Sequence, residues 1–379
     1  MISAVVANSA AVALTRCSLE ITGAAPPELF GGPHRRLVLP QKIGTIGTSG
    51  DPSAGDLRFI LEDVRRILFA GTVALVLVPT AAARVSLGVL GNPGRFAAQT
   101  GQRSTVGHAI LGWNQGNTWG ARLPVQFASH GPVPMIGFTT SRGWPNPRET
   151  ITPRGVAFGQ GDGYLSALNR AIADWGRTIY LRPFPEMNGH WNAYCAYTQS
   201  GRRKGGSHST ASFRKAFARV YLLVHGGTTV QLTARLRRLG LPGVTHDYEP
   251  NPFPMLRVIW NPQGYGSPNL PGNTAQAYYP GNRFVDVVGN DLYDIRGKAE
   301  WAANDRLYKA HRSKPYAIPE WGLWGIDDPA FVKRMGGWVR THRRVELLSW
   351  FQSKAGSIFD LATKPRSRAA YRRYITPLG

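Results

Sequence analysis

Residues 178–197 read TIYLRPFPEMNGHWNAYCAY. Apolar Ile179 and Leu181 make the opening segment a buried strand, and Arg182 ends it just before Pro183-Phe184-Pro185. Proline restricts its own φ and the backbone of the residue before it, so the chain leaving this strand is stiff and Glu186 is held at a fixed height above the sheet. Around Glu186 stand Asn188, His190, Trp191 and Tyr194. A carboxylate among guanidinium, amide and indole groups has partners that tune its pKa, bind hydroxyls and stack on a sugar face. A glutamate merely solvated in a loop needs no such company.

On either side of this strand, short β-like runs alternate with helical patterns. Strands are expected over Val85–Leu90, Thr105–Trp113, Pro134–Thr140, Thr178–Phe184, Leu256–Trp260, Val285–Tyr293, Tyr316–Trp321 and Val345–Phe351. Between them, Leu165, Leu168, Ile172 and Trp175 share one helix face, as do Phe213, Phe217, Val220, Tyr221 and Val224. Further helical stretches run over Val230–Leu239, Ala299–His311 and Pro329–His342. Eight alternations predict an α/β fold of the (β/α)8 barrel type, which typically takes about 250 residues plus insertions. A doubly wound open sheet would place a glycine-rich phosphate turn after its first strand, and Gly88, Gly91 and Gly94 lack that spacing. In a barrel the active site lies in the segments after the strands. Those segments carry Trp113, Trp119, Trp144, Trp191, Trp260, Trp321 and Trp324, enough indole to line a groove that stacks sugar rings.

The chain has 379 residues and is strongly basic, with 45 Lys and Arg against 22 Asp and Glu, a net charge of +23 and a pI near 10.6. Its basic residues are scattered and match no nucleic-acid reader motif, so no nucleic acid is expected as partner. The charge suits electrostatic association with anionic cell-wall polymers. Two cysteines, Cys17 and Cys195, make neither a disulfide framework nor a zinc site. No phosphate loop, dinucleotide fingerprint, zinc-protease motif or serine-nucleophile elbow is present. No metal or cofactor is expected, and the chemistry falls to carboxylates.

Residues 1–63 are rich in Ala, Gly and Pro without sustained periodicity and read as a disordered or non-native leader. Arg65-Arg66, the apolar run Ile67–Pro79 and Ala81-Ala82-Ala83 then form a secretory signal over residues 64–83, with cleavage expected after Ala83. A signal of this kind works at an N-terminus, so translation is expected to start at Val64 and the mature chain, residues 84–379, at Arg84. Removing residues 1–83 leaves 38 Lys and Arg against 16 Asp and Glu, or +22. A secreted monomer is the expected form.

Glu186 closes the fourth strand and Glu320 the seventh, positions that face each other across a barrel mouth. Retaining glycoside hydrolysis needs two such carboxyls about 5–5.5 Å apart. At these residues the chain resembles glycoside hydrolase family 26, which includes secreted bacterial β-mannanases. The resemblance runs from LGVLGN and FAAQTGQ through RPFPEMNGHW, VIWNP, YYPGNRFVDVVGNDLY and PEWGLWG. It implies Glu186 as acid/base, Glu320 as nucleophile and Tyr293 bonded to that nucleophile. It also implies that Arg182 orients the pair and that Trp191 and Trp260 line the groove. The implied substrate is a β-linked polysaccharide, first β-1,4-mannan, with mixed-linkage β-glucan or β-1,3-xylan behind it. Family members usually carry His immediately before the acid/base; this chain has Pro185, which weakens the inference to mannan more than the reaction type. His190 is the residue that could substitute. A non-catalytic barrel that binds a wall polysaccharide is the alternative from another class.

Overall fold

Strands form where β-branched and aromatic residues crowd into short runs, and each run meets the next in parallel register. In this computed structural model, which describes residues 84–143 and 148–379, the strands are β1 (Ser86–Gly91), β2 (Val106–Leu111), β3 (Val133–Phe138), β4 (Ile179–Pro183), β5 (Leu256–Trp260), β6 (Val287–Gly289), β7 (Leu292–Ile295), β8 (Tyr316–Trp324) and β9 (Val345–Ser353). The leader, the signal segment and Trp144 lie outside the described residues. β1 pairs with both β2 and β9, and β6 pairs with β8, so the sheet closes. β6 and β7 are two parts of one stave, both laid along β8 and separated by Asn290-Asp291. The result is a (β/α)8 barrel of eight parallel staves, as the alternation predicted.

Side-chain parity divides the core in two. Val106, Met135, Tyr180, Ile259, Val287, Ala317 and Leu347 fill the barrel interior. Their strand neighbours, including Leu181, Val258, Trp260, Val288, Ile318 and Leu348, face the helices. Above the apolar interior the inward positions turn polar, with His108 on β2 and Arg182 on β4 both buried. That switch marks where the barrel stops being a core and becomes a site.

β8 departs from simple alternation. It pairs Ile318 with Leu348 and Trp321 with Trp350, three steps against two, so it carries a bulge. Ile318 and Trp321 both face the outer layer despite their odd spacing, and the residue gained between them turns Glu320 into the mouth. Re-aiming one side chain is what a bulge beside an active site does.

The helices follow their apolar faces and caps. The helix Asp162–Trp175 buries Leu165, Leu168 and Ile172 and ends at Gly176, whose φ of 58° is left-handed. The helix Thr210–His225 starts on the Ser209 hydroxyl, buries Phe213, Phe217, Val220 and Val224, and is tied to its predecessor by the ion pair of buried Arg219 with half-buried Asp162. The helix Pro329–Thr341 starts on Asp328, which accepts from the amides of Ala330 and Phe331. A last helix, Pro365–Tyr374, packs Tyr371 onto Trp321 and Phe96. This helix and those at Pro93–Thr100, Leu123–Ser129 and Pro153–Ala157 were not expected from the sequence.

One residue expected in the groove lies in the wall instead. Trp260 was expected to line the groove, but it is fully buried in the layer between strands and helices, its ring against Tyr279 and His311 at 4.7 and 5.4 Å. The reason is parity: Ile259 points into the barrel, so Trp260 points out. Trp113 and Trp321 are likewise core residues, at 3% and 0% exposure. Trp260→Ala should therefore cost about 3–5 kcal/mol of stability, as expected for removing a large buried aromatic. Chemical denaturation measures it, and an unchanged midpoint would return Trp260 to the groove.

Candidate active site

Glu186 lies three residues beyond the end of β4, on a strained segment. Phe184 and Glu186 both have positive φ, 50° and 53°, on either side of Pro185. Each such residue costs about 1–3 kcal/mol and persists only where its surroundings over-determine it. They do so here. The Phe184 ring packs on Trp113, Phe138, Tyr194 and Phe213, and its amide donates to the Phe138 carbonyl at 2.9 Å. The Tyr194 hydroxyl donates to the Pro185 carbonyl at 2.6 Å, and the Asn192 amide to the Glu186 carbonyl at 2.9 Å. The Glu186 amide in turn donates to the Asn261 carbonyl at 2.7 Å, locking the segment to the end of β5.

The Glu186 carboxyl, partly open at the mouth, receives two neutral donors. Gln263 Nε2 lies 2.7 Å from Oε1 and Trp191 Nε1 lies 2.8 Å from Oε2. Trp191 is 48% exposed and folds back over Gly189, where a Cβ would come within 2.4 Å of the indole. Gln263 is held through Asn188, which accepts from its backbone amide at 2.9 Å and donates to its carbonyl at 2.8 Å. Tyr265, 37% exposed, follows on the same loop.

Glu320 is set in a different environment. Its Oε1 accepts from Arg182 Nη1 at 2.7 Å and its Oε2 from the Tyr293 hydroxyl at 2.9 Å. Arg182 Nη2 reaches Asp291 Oδ2 at 2.7 Å, and Nη1 also lies 2.9 Å from His108 Nε2. A guanidinium only donates, so His108 Nε2 accepts and the imidazole is neutral. Burial, with Arg182 adding, lowers the His108 pKa well below its usual value. His108 Nε2 is 3.8 Å from Glu320 Oε1, beyond hydrogen-bond reach.

Oxygens of Glu186, Asp291 and Glu320 lie within 4.8 Å of one another, with one guanidinium among them. Burial works against the charge on Arg182, but Asp291 and Glu320 outweigh it and raise its pKa. Burial raises the pKa of Glu186, and the charge on Glu320 raises it further, against the pull of Gln263 and Trp191. Asp291 is pushed up by burial and by both glutamates, with its Arg182 contact opposing. Three negative charges beside one positive are costly. Glu186 is the carboxyl that Arg182 does not touch, and its side-chain oxygens accept only from the neutral donors Gln263 and Trp191. Although three carboxylates at this spacing could accept a cation, Arg182 already occupies two of them.

Of the residues named from sequence, the structure brings Glu186, Glu320, Arg182, Trp191 and Tyr293 together and removes Trp260. His190 does not reach Glu186; its Nδ1 sits 3.2 Å from Ser267 Oγ and its ring packs edge-on to Trp191. Asp291, Gln263 and His108 were not singled out. Asp291 and His108 were visible as polar residues inside apolar strand runs, VVGNDLY and VGHAIL, whereas Gln263 left no local signal. Beside Glu320, half-buried Tyr293, Trp324, Phe351 and Phe359 form a ring cluster with centroids 4.8–6.0 Å apart. Aromatic walls thus stand on both sides of the carboxyl pair.

No family model matches the chain. It is 22% identical over 293 residues to Endoglucanase H of Acetivibrio thermocellus, covering 74% of this chain and 28% of that protein, so it spans less than a third of the relative's length. Among solved structures, a mannanase of Bacillus subtilis superposes with a TM-score of 0.50 at 16% identity, over 78% of this chain and 86% of that one. The glycoside hydrolase family 26 domain of an endo-β-mannanase/endo-β-glucanase from Prevotella bryantii gives 0.49 at 14% identity, over 77% and 89%. At such identities what is shared is architecture, and in architecture the chain resembles the family 26 glycoside hydrolases.

Proposed function

We propose that residues 84–379 form a retaining glycoside hydrolase that cleaves β-linked polysaccharide, in the first place an endo-β-1,4-mannanase-like enzyme. Glu186 is its acid/base and Glu320 its nucleophile. One observation carries the reading: two carboxyls with oxygens within 4.8 Å, one bonded to a guanidinium and a tyrosine and the other only to neutral donors. Inverting enzymes hold their carboxyls about 6.5–9.5 Å apart to seat a water, so this spacing supports retention.

Glu320 attacks the anomeric carbon while Glu186 gives its proton to the departing glycosidic oxygen; the C–O bond breaks and a glycosyl ester forms on Glu320. Losing that proton leaves Glu186 as the base that deprotonates an incoming water, which displaces Glu320 and regenerates both groups. Tyr293 and Arg182 hold Glu320 in attacking position, and Trp191 and the Tyr293–Trp324–Phe359 cluster offer ring faces to sugars on the two sides of the cleaved bond.

A second substrate, β-glucan, is favoured by the endoglucanase relative and by Pro185, which removes the imidazole that family 26 enzymes usually place beside the acid/base. A non-catalytic polysaccharide-binding barrel is the remaining alternative. Incubation with a panel of β-mannan, mixed-linkage β-glucan and β-1,3-xylan, read by reducing ends and product masses, separates all of these. Glu186→Gln should keep glycan binding and cut turnover by about 10²–10⁴-fold on natural substrates, with glycosides of good leaving groups spared in the first step. A mechanism-based fluorosugar should label Glu320. Undiminished activity in the Gln variant, or a label elsewhere, would sink the pairing.

The pH profile gives a further check. Activity on natural glycans needs Glu186 protonated, so it falls as pH rises through the Glu186 pKa, which burial and Glu320 hold above the usual glutamate range. Gln263 donates to the charged form; Gln263→Met should raise the pKa further and move the basic limb to higher pH. A limb that stays in place, or moves down, would remove Gln263 from control of the acid/base.

Export belongs to the proposal. Among the described residues no helix is long and apolar enough to cross a membrane. N-terminal sequencing of protein from culture medium should read from Arg84; a secreted form retaining residues upstream of Ile67 would contradict the assigned signal.

A further inference from the structure

The net charge is not spread evenly. Residues 329–344 hold five Lys and Arg and residues 361–379 five more, with no Asp or Glu in either stretch. The two stretches form the neighbouring helices Pro329–Thr341 and Pro365–Tyr374. They meet closely at Gly336, where a Cβ would fall 2.7 Å from the Tyr374 carbonyl. Arg344 and Lys364 turn inward onto backbone carbonyls. The other eight face outward. Among the described residues only Arg366 of these eight has a carboxylate within ion-pair distance, Asp327 at 3.6 Å.

Several of these cations are held in place. Arg340 Nη2 donates to the Tyr374 carbonyl at 3.0 Å, while Lys333 and Arg373 lie over the Tyr374 ring at 5.9 and 5.3 Å. Cation–π contacts and carbonyl bonds of this kind fix direction without cancelling charge. Dipole compensation explains one or two cations at a helix C-terminus. It does not explain a two-helix face without a carboxylate of its own. Both helices run from the mouth end of the barrel to its opposite end, so Arg340, Arg343, Arg372 and Arg373 lie away from Glu186 and Glu320.

We propose that this two-helix face is a docking surface for an acidic, carboxylate-bearing polysaccharide, separate from the catalytic mouth. The choice of polysaccharide rests on the glycosidase reading of the mouth; the choice of polyanion rests on the charge alone. Membrane docking is disfavoured because every exposed large apolar side chain among the described residues lies elsewhere, on neither helix. Nucleic acid is disfavoured because, among the described residues, no exposed aromatic side chain lies on either helix for bases to stack on. Docking there would hold the enzyme on an acidic wall matrix while the mouth works on a neutral chain beside it.

Titration of the full chain with polygalacturonate, whose α-linkages the proposed enzyme does not cleave, tests this against uncharged dextran. Binding should occur with the first only and weaken steeply with salt. The triple variant Arg340→Glu, Arg372→Glu, Arg373→Glu should lose roughly tenfold or more in affinity, since clustered charges act through their summed field, with cleavage of a neutral β-glycan unchanged. Unaltered affinity in that variant would overturn the assignment. So would tighter binding, at equal salt, of duplex DNA or of phosphatidylglycerol vesicles. Should the variant fail to fold, phenylglyoxal modification of the unaltered chain decides: Arg340, Arg372 and Arg373 should be protected by polygalacturonate, and unprotected they refute the site. Absence of any glycan cleavage, with this binding intact, would count against the enzyme reading and not against the surface.

Discussion

The site depends on one buried guanidinium. Arg182 carries charge in the barrel interior, where an unpaired cation would be prohibitive, and it persists because Glu320 and Asp291 each accept from it at 2.7 Å. It supplies one positive charge to three carboxylates. The mismatch works as a sorting device: the two carboxyls that touch Arg182 share its charge, and the third, Glu186, is left with an indole and an amide. A chemically identical pair of glutamates thereby acquires different partners from position alone, one held by charge and the other by neutral donors.

Backbone geometry delivers those positions. The β8 bulge turns Glu320 inward where plain alternation would have sent it toward the helices, and the break between β6 and β7 lets Asp291 turn to Arg182. On the opposite side, two left-handed residues bracket Pro185 and carry Glu186 to the facing wall. Each irregularity costs stability locally and is restrained by ring packing or by hydrogen bonds to carbonyls. The regular staves below, with their apolar interior, provide the rigidity against which these distortions are held.

All eight staves were legible in the sequence because each is a short apolar run bounded by turn residues, and that Glu186, Arg182, Trp191, Tyr293 and Glu320 come together was legible from their places on or just after those runs. Side-chain parity was not. Trp260 ends its run as a groove residue would, yet Ile259 takes the inward direction and leaves the indole in the wall. The bulge in β8 has no signature in YAIPEWGLW, so the sequence placed Glu320 at the mouth by its position at the expected end of a strand and by resemblance, without the backbone feature that turns it inward. Gln263 was invisible for another reason: its role comes from Asn188, 75 residues earlier, and no local pattern encodes that contact.

Pro185 shows how one position trades recognition for rigidity. Its φ is fixed near −65°, it has no amide to donate, and its carbonyl is taken by Tyr194. A histidine there would bring an imidazole toward the sugar but would leave the segment freer to relax from the left-handed backbone at Phe184 and Glu186. With proline, Glu186 is set by backbone stiffness, and on the proposed reading a neighbouring sugar would be recognised by other groups. Candidates are Trp191 on Glu186, and the Tyr293 hydroxyl with the Trp324, Phe351 and Phe359 rings beside Glu320. Rings select sugars by the shape of an apolar face, whereas an imidazole selects by the direction of a hydroxyl. On the proposed reading, the choice among β-linked glycans would rest on aromatic surface more than on a polar contact at position 185.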